Sequence, residues 1–420
     1  MSGKLTAAIL ENGNKISFHT PSHAGVLPDD ITKTDVTELP YTDNLLSSVS
    51  YIAELERKTA SVYKAEACFI STQGATHNIF QAVYSVSKLG AFLIVGNAHV
   101  SVYNALSVCR AKAYHADAFC DPSEIPSDVK IVIFTSPDYF GNVLPVKEYC
   151  DLLRKNGYVS IVDSAHGSHF EFSSKLPESA SECADLVILS LHKTLPVLTG
   201  GSVLCCRNEY AEKALLARKI FHTTSPSFMT MCSIERAIDL FEKDGERLYD
   251  EVLEEVGKFV SAVKSPFSVK KTQDPTRVVL TSPFDGGAVE EALRNEGFVA
   301  ETTFGRDVVF IVNPYNYRHL AALGDAVNGI GRLPLYAECD VPYKPHPRPA
   351  PIEFGCDAER ILLTEAKGRK AFVCAGLYPP GTPLIYPGDE ITERDIAFLA
   401  KAEREKRVFG VENGLIYVIK

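Results

Sequence analysis

Two short apolar runs constrain this chain most: Val159 to Val162, which stops at Asp163-Ser164-Ala165-His166, and Leu186 to Leu189, which stops at Ser190-Leu191-His192-Lys193. Runs this short, rich in Val, Ile and Leu and cut off by polar residues, read as strands buried on both faces of a parallel sheet. Ligands of such sheets bind beyond the carboxyl ends of the strands. An acid and a lysine therefore arrive on one rim.

That pairing suits pyridoxal 5'-phosphate. The cofactor needs a lysine amine to hold its aldehyde and a carboxylate against its pyridine nitrogen, where the negative charge keeps the nitrogen protonated as an electron sink. The stretch between the two runs is long enough to return across the sheet to a neighbouring strand.

Strand, turn and helix alternate along most of the chain. Strands are expected at Ala67 to Ile70, Ala91 to Val95, near Ala113 to His115, at Lys130 to Phe134 and before Cys206, and helices at Ile52 to Ala65, Ser71 to about Lys88, Val146 to Asn156, Glu209 to Lys219 and Phe228 to Leu240. This is the pattern of a doubly wound, mainly parallel α/β sheet. Residues 1–50, broken by prolines, read as an arm and 51–264 as a large cofactor-binding domain. A smaller carboxy-terminal α/β domain is expected over 265–420, with strands at Val269 to Leu280 and Val308 to Val312 flanking a helix at Ala288 to Glu296.

Composition removes several function classes. A net charge of −10 argues against a general nucleic-acid binder, and no apolar run reaches the roughly 18 residues of a membrane span. The amino terminus lacks a signal peptide's apolar centre, so the cytoplasm is the expected location. The 11 cysteines are scattered, often within apolar strands, and no pair of C-x-x-C elements frames a metal. They read as reduced, buried thiols.

The segments Asp163-Ser-Ala-His-Gly-Ser-His169, Pro177-Glu-Ser179, Ala184-Asp-Leu-Val187 and Ser190-Leu-His-Lys-Thr-Leu-Pro196 resemble the pyridoxal-phosphate core of the arginine/lysine/ornithine decarboxylase family. The resemblance implies an aspartate-aminotransferase-like fold and decarboxylation of an amino acid, arginine, lysine or ornithine, to an amine and carbon dioxide. Lys193 then carries the cofactor and Asp163 faces its ring nitrogen. His192 and Ser190 touch phosphate or substrate, His166 flanks the ring, and Ala165 allows close approach to its face.

Other segments extend the resemblance. Ser71-Thr-Gln-Gly-Ala-Thr76 turns from strand to helix, and unpaired N–H groups at a helix start bind phosphate well; the family places the cofactor phosphate here, at Gly74, Ala75 and Thr76, with Gly74 and Thr76 as the expected donors. Asn97-Ala-His99-Val-Ser-Val-Tyr-Asn-Ala105 is similar to a segment whose histidine stacks on the ring. His99 is expected to do so and, with a pKa near neutrality, to shuttle a proton; an isolated histidine there otherwise reads as a helix cap. Thr135-Ser-Pro-Asp-Tyr-Phe-Gly141 is expected at the pocket edge, the stiff loop around Gly381 at the substrate entrance, and His19 to Gly25 near the site. Thr224, in His222-Thr-Thr-Ser-Pro-Ser227, is expected to cross to a neighbouring subunit's phosphate. That implies a homodimer with shared active sites, or a higher oligomer built from it, in the short form that lacks an amino-terminal regulator-like domain.

Departures from the family pattern fall at Ser22, Ala24, Ala75, Val100, Gly200 in place of glutamine, and Phe372-Val373 in place of Ala-Glu. Loss of that glutamate alters the substrate end of the pocket. The same cofactor frame also runs transamination, elimination and aldol cleavage, so an aminotransferase or another lyase is the alternative. A remoter one takes Asp163, His166 and His169 as the metal ligands of a hydrolase, and another is a non-catalytic pyridoxal-phosphate protein; neither gives both Lys193 and the phosphate turn a role in chemistry.

Overall fold

The computed structural model describes residues 16–18, 43–337, 345–378 and 381–420. The expected arm motif from His19 to Gly25, and Pro379 and Pro380 of the stiff loop, lie outside the described residues.

The main sheet contains β1 (Ala67–Ser71), β2 (Ala91–Val95), β3 (Ala113–Ala116), β4 (Val129–Thr135), β5 (Val159–Asp163), β6 (Leu186–Leu189) and β7 (Ser202–Cys206). Their spatial order is 3-2-4-5-6-7-1, and Ala350–Ile352, from much further along the chain, adds itself beyond β3. Strands β3, β2, β4, β5 and β6 run parallel, while β7 is antiparallel to both β6 and β1. The carboxyl ends of β1, β2, β4, β5 and β6 consequently share one rim with the amino end of β7.

Burial explains the continuous apolar runs. Every residue of β2 and of β6 is buried. Leu93, Val132, Phe134, Val162 and Leu189 join one apolar cluster, and their neighbours Phe92, Ile131, Ile133, Ile161 and Ile188 join another on the opposite face. Side chains alternate across a strand, so a sheet covered on both faces needs apolar residues at both parities.

Helices α1 (Tyr51–Val62), α2 (Gly74–Val86), α3 (Val100–Val108), α4 (Val146–Lys155), α5 (Asn208–Phe221) and α6 (Phe228–Ala262) link or flank these strands. The expected helix ending at Leu240 is a 35-residue helix. Its Gly245 is a point of close packing, not a stop: a Cβ there would lie 2.8 Å from the Phe172 Cβ and 2.9 Å from the Phe172 carbonyl oxygen.

The expected single strand over 269–280 is two, β8 (Ser268–Lys270) and β9 (Arg277–Thr281). The Asp274 side chain accepts the Thr276 N–H at 2.9 Å and turns the chain between them. With β10 (Thr302–Phe304) and β11 (Asp307–Ile311) they form an antiparallel sheet ordered 10-11-9-8. Its Val278, Leu280 and Phe310 belong to the same cluster as Val132 and Phe134. Leu363, Ile385, Leu399 and Ile416 form a separate core under two three-stranded antiparallel sheets. The stretch expected as one carboxy-terminal unit over 265–420 therefore packs in two places.

Strand β1 is an edge, and its position fixes the turn into α2. The Ile70 N–H donates to Glu56 of α1 at 3.0 Å, and Glu56 is paired with Arg218 of α5, both buried. Burial pushes the Glu56 carboxyl up, with Arg218 and the Ile70 N–H pulling it back. Removing one partner of a buried pair strands the other, at about 3–5 kcal/mol. Arg218→Met should lower the urea midpoint accordingly, and the Glu56→Leu/Arg218→Met double variant should recover part of the loss. A single variant as stable as the parent contradicts this reading of the pair.

Candidate active site

Lys193 sits in a single helical turn, Leu191–Thr194, at the end of β6. Its Nζ lies 2.9 Å from Nε2 of the buried His166. Desolvation pulls the amine's pKa down and Arg277 adds to that, while the charges of Asp163 and Glu301 oppose it. Asp163 ends the adjacent strand β5 and is 4% exposed. One of its oxygens accepts the Ala165 N–H at 3.1 Å. Burial nevertheless pushes the Asp163 carboxyl up, Lys193 and that N–H working the other way. Such an acid favours a cationic N–H partner.

The phosphate turn opens α2 at the end of β1. Of its expected donors, Gly74 is already used: its N–H gives 2.7 Å to the Gly200 carbonyl. The first-turn N–H groups left without a carbonyl four residues back are those of Ala75 and Thr76, with the Thr76 hydroxyl beside them. The donor that Ala75 offers is its backbone N–H, which does not depend on a side-chain hydroxyl. Gly200 is required by the same contact. Its φ is +95°, and a Cβ would stand 2.5 Å from the Thr72 carbonyl oxygen, which excludes glutamine without a shift of the turn.

His99 caps α3. Its Nδ1 accepts the Ser101 N–H at 3.2 Å and lies 2.7 Å from the Ser101 hydroxyl, which leaves the proton on Nε2. Burial, with Lys193 adding to it, lowers its pKa to about 4. The ring is neutral at pH 7 and offers an uncharged face, in place of the group titrating near neutrality that was expected. Gly381 of the carboxy-terminal loop lies against it: a Cβ on Gly381 would approach Nε2 to 2.9 Å, and the Gly381 carbonyl takes the Val100 N–H at 3.0 Å.

His192 is pinned by its Nδ1, which is 3.1 Å from the Gly201 carbonyl and 3.3 Å from the Ser190 hydroxyl. A carbonyl only accepts, so Nδ1 carries the proton and Nε2 is an acceptor. Ala165 is buried beside Asp163. Thr224 is exposed, in a turn whose neighbours hold the phosphate turn of the same chain: the Thr223 N–H donates to Gln73 at 2.8 Å and the Ser227 N–H to Thr72 at 3.3 Å.

The second sheet and the turn that faces it bring three further residues. Tyr139, in the turn after β4, donates its hydroxyl to Glu301, and its ring meets the His166 ring edge-on at 5.0 Å. Arg277, the first residue of β9, is 1% exposed and donates from Nη2 to His166 Nδ1 at 3.2 Å. Gly141, with φ +85°, makes room for the Arg277 stem, because a Cβ would lie 2.6 Å from Arg277 Cβ. A charged residue opening the apolar run Val278-Val279-Leu280 was the one sequence signal for Arg277. Glu301 gave none.

The metal reading does not fit this arrangement. His169 turns away to Asp274 at 3.3 Å and Thr276 at 3.0 Å, while His166 faces Lys193 and Arg277. Among the described residues no group of His, Cys, Asp and Glu is gathered to hold an ion. Pyridoxal phosphate fits instead: Asp163 suits its ring nitrogen, the α2 amino terminus its phosphate and Lys193 its aldehyde.

The models described as "Orn/Lys/Arg decarboxylase, major domain" and "Orn/Lys/Arg decarboxylase, C-terminal domain" match residues 120–283 and 347–413, more than half of the chain between them. An arginine decarboxylase of Bacillus subtilis strain 168 is 26% identical, covering 96% of this chain and 94% of its own length. One from Halalkalibacterium halodurans is 24% identical over 93% and 91%. Among solved structures, lysine decarboxylase A from Pseudomonas aeruginosa shares the fold with a TM-score of 0.74 at 16% identity, over 94% of this chain and 75% of that one. Serine palmitoyltransferase from Sphingomonas wittichii gives 0.62 at 13% identity, over 75% and 86%.

The buried imidazoles make an acid-sensitive fold. Burial lowers His77 to about 3 and His99 to about 4, from an ordinary 6.5. Unfolded rings take up protons below pH 6.5 while the folded rings do not until much lower, so stability falls as pH drops through that window. The apoprotein's melting temperature should fall from pH 7 to pH 4, and less steeply in His77→Phe. Identical slopes in the two proteins would overturn this.

Proposed function

The chain belongs to the Orn/Lys/Arg decarboxylase family, and from that premise we propose that it removes carbon dioxide from a basic amino acid, with pyridoxal 5'-phosphate as its cofactor. The observation that carries the proposal is the enclosure of the Lys193 amine and the Asp163 carboxylate on one sheet rim. When bound, the cofactor supplies an aldehyde that condenses with amines and a protonated ring that takes up the electron pair released as carbon dioxide leaves.

The chain's own residues do the rest. Asp163 holds the ring N–H. Ala75 and Thr76 donate to the phosphate at the positive end of α2. The neutral His99 ring, fixed by Ser101, supplies a flat uncharged surface and an Nε2–H. His192 offers Nε2, and Ala165 leaves room for close approach. Lys193 would be the nucleophile that binds the cofactor's aldehyde and, when free of it, would serve as a base.

Glu301 is assigned to the substrate's cationic end. Among the described residues, the charges of Asp163 and Glu301 both act on Lys193, and Asp163 is committed to the cofactor. With Val373 standing where the family carries glutamate, Glu301, held by the Tyr139 hydroxyl, provides the charge that a basic side chain needs. The same proposal makes the enzyme a cytoplasmic homodimer whose amine product is of the kind used in polyamine synthesis. Exposed Thr224, next to residues that grip the phosphate turn, would reach the partner's phosphate. No described helix is long and apolar enough to cross a membrane.

Purified protein loaded with the cofactor and incubated with arginine, lysine or ornithine should release carbon dioxide and the matching amine. Keto acid in place of carbon dioxide would refute the reading. Lys193→Ala should lose turnover with every substrate. Glu301→Gln should raise KM roughly tenfold or more, the size of a charge-assisted hydrogen bond of about 1.5–3 kcal/mol, with a smaller change in kcat. An unchanged KM would remove Glu301 from the substrate site.

A further inference from the structure

Three side chains stand in line at the meeting of the two sheets. Arg277 Nη2 is 3.2 Å from His166 Nδ1, and His166 Nε2 is 2.9 Å from Lys193 Nζ. A guanidinium has five N–H donors and no acceptor. Nδ1 of His166 must therefore accept, and in a neutral imidazole the single ring proton then sits on Nε2. That N–H points at Lys193, and the amine completes the bond only by offering a lone pair. An ammonium in its place would set N–H against N–H.

We propose that Arg277 is a positioning residue which, by fixing the His166 proton on Nε2, holds the Lys193 amine unprotonated and ready to capture a carbonyl. The inference rests on Lys193 being the cofactor-bearing lysine and deepens that assignment by saying how its reactive form is set.

The surroundings agree. His166 is buried, and desolvation, then Lys193 and Arg277, then His99 and His192, all keep it from taking a second proton. Around Lys193, desolvation and Arg277 disfavour the ammonium, while Asp163 and Glu301 favour it. The Tyr139 ring closes the remaining side of His166. Arg277 itself is kept in place by packing: its stem lies on Gly141, and its N–H donates to the Asp274 carbonyl at 3.1 Å. The hydrogen-bond direction is what Arg277 contributes beyond charge, since glutamine in its place keeps a donor and loses the cation.

Nitrogen-15 spectra of histidine-labelled apoprotein read the tautomer directly, with His166→Phe used to assign the signals. Wild type should show His166 with a bare Nδ1 and a protonated Nε2. Arg277→Met should release the tautomer and slow reductive methylation of Lys193 at pH 7 about tenfold, the effect of roughly one unit in the amine's pKa. Arg277→Gln should keep the wild-type tautomer and most of the methylation rate. A proton on Nδ1 in wild type overturns the proposal whether or not the variants fold. So does an Arg277→Met protein, folded by circular dichroism, with wild-type tautomer and rate. None of these measurements uses the cofactor or turnover, so a lysine that reacts as described in a protein that releases no carbon dioxide would sink the proposed activity and leave this inference standing.

Discussion

An amine desolvated at the rim of an apolar sheet is the constraint from which the other features of the site follow. Charge is expensive away from water, so the group either neutralises or finds a partner. Lys193 is driven toward the neutral form, which is the form that attacks a carbonyl. The neighbouring strand presents the converse case in Asp163, an acid that burial drives toward its neutral form and that a cationic ring nitrogen would return to the carboxylate. The two penalties are complementary, and one aromatic cofactor relieves both.

The rim becomes a closed site because a second sheet meets it. Glu301 and Arg277 come from that sheet, and the turn after β4 joins the two sides: Tyr139 reaches Glu301, while Gly141 gives way to the Arg277 stem. The carboxy-terminal loop adds Gly381 against His99. Glu301, Arg277 and Tyr139 are polar and come from separate segments of the chain. Small shifts between the sheets would change the lysine's environment without touching the lysine.

Much of the frame was legible because it is local. The apolar runs ending at Asp163 and before Lys193, and the small-residue turn opening α2, are written in consecutive residues. What failed depends on distant approach. Gly74 is expected to donate to phosphate, but its N–H is taken by the Gly200 carbonyl, across the rim on the way into β7. The helix expected over Phe228 to Leu240 runs on to Ala262, and the Phe172 backbone that packs on its Gly245 is far away in sequence. His99 looked like a titrating group until burial and Ser101 fixed it neutral. Arg277 and Glu301 stayed hidden because their meaning depends on which strand ends lie opposite them.

In the proposed function Lys193 alone carries the cofactor. Borohydride reduction of the cofactor-loaded protein, followed by proteolysis and peptide mass mapping, tests it without reference to substrate or product. One phosphopyridoxyl group per chain is expected, on the peptide containing Lys193. The same mass on a different lysine, or no stable addition at all, would contradict it.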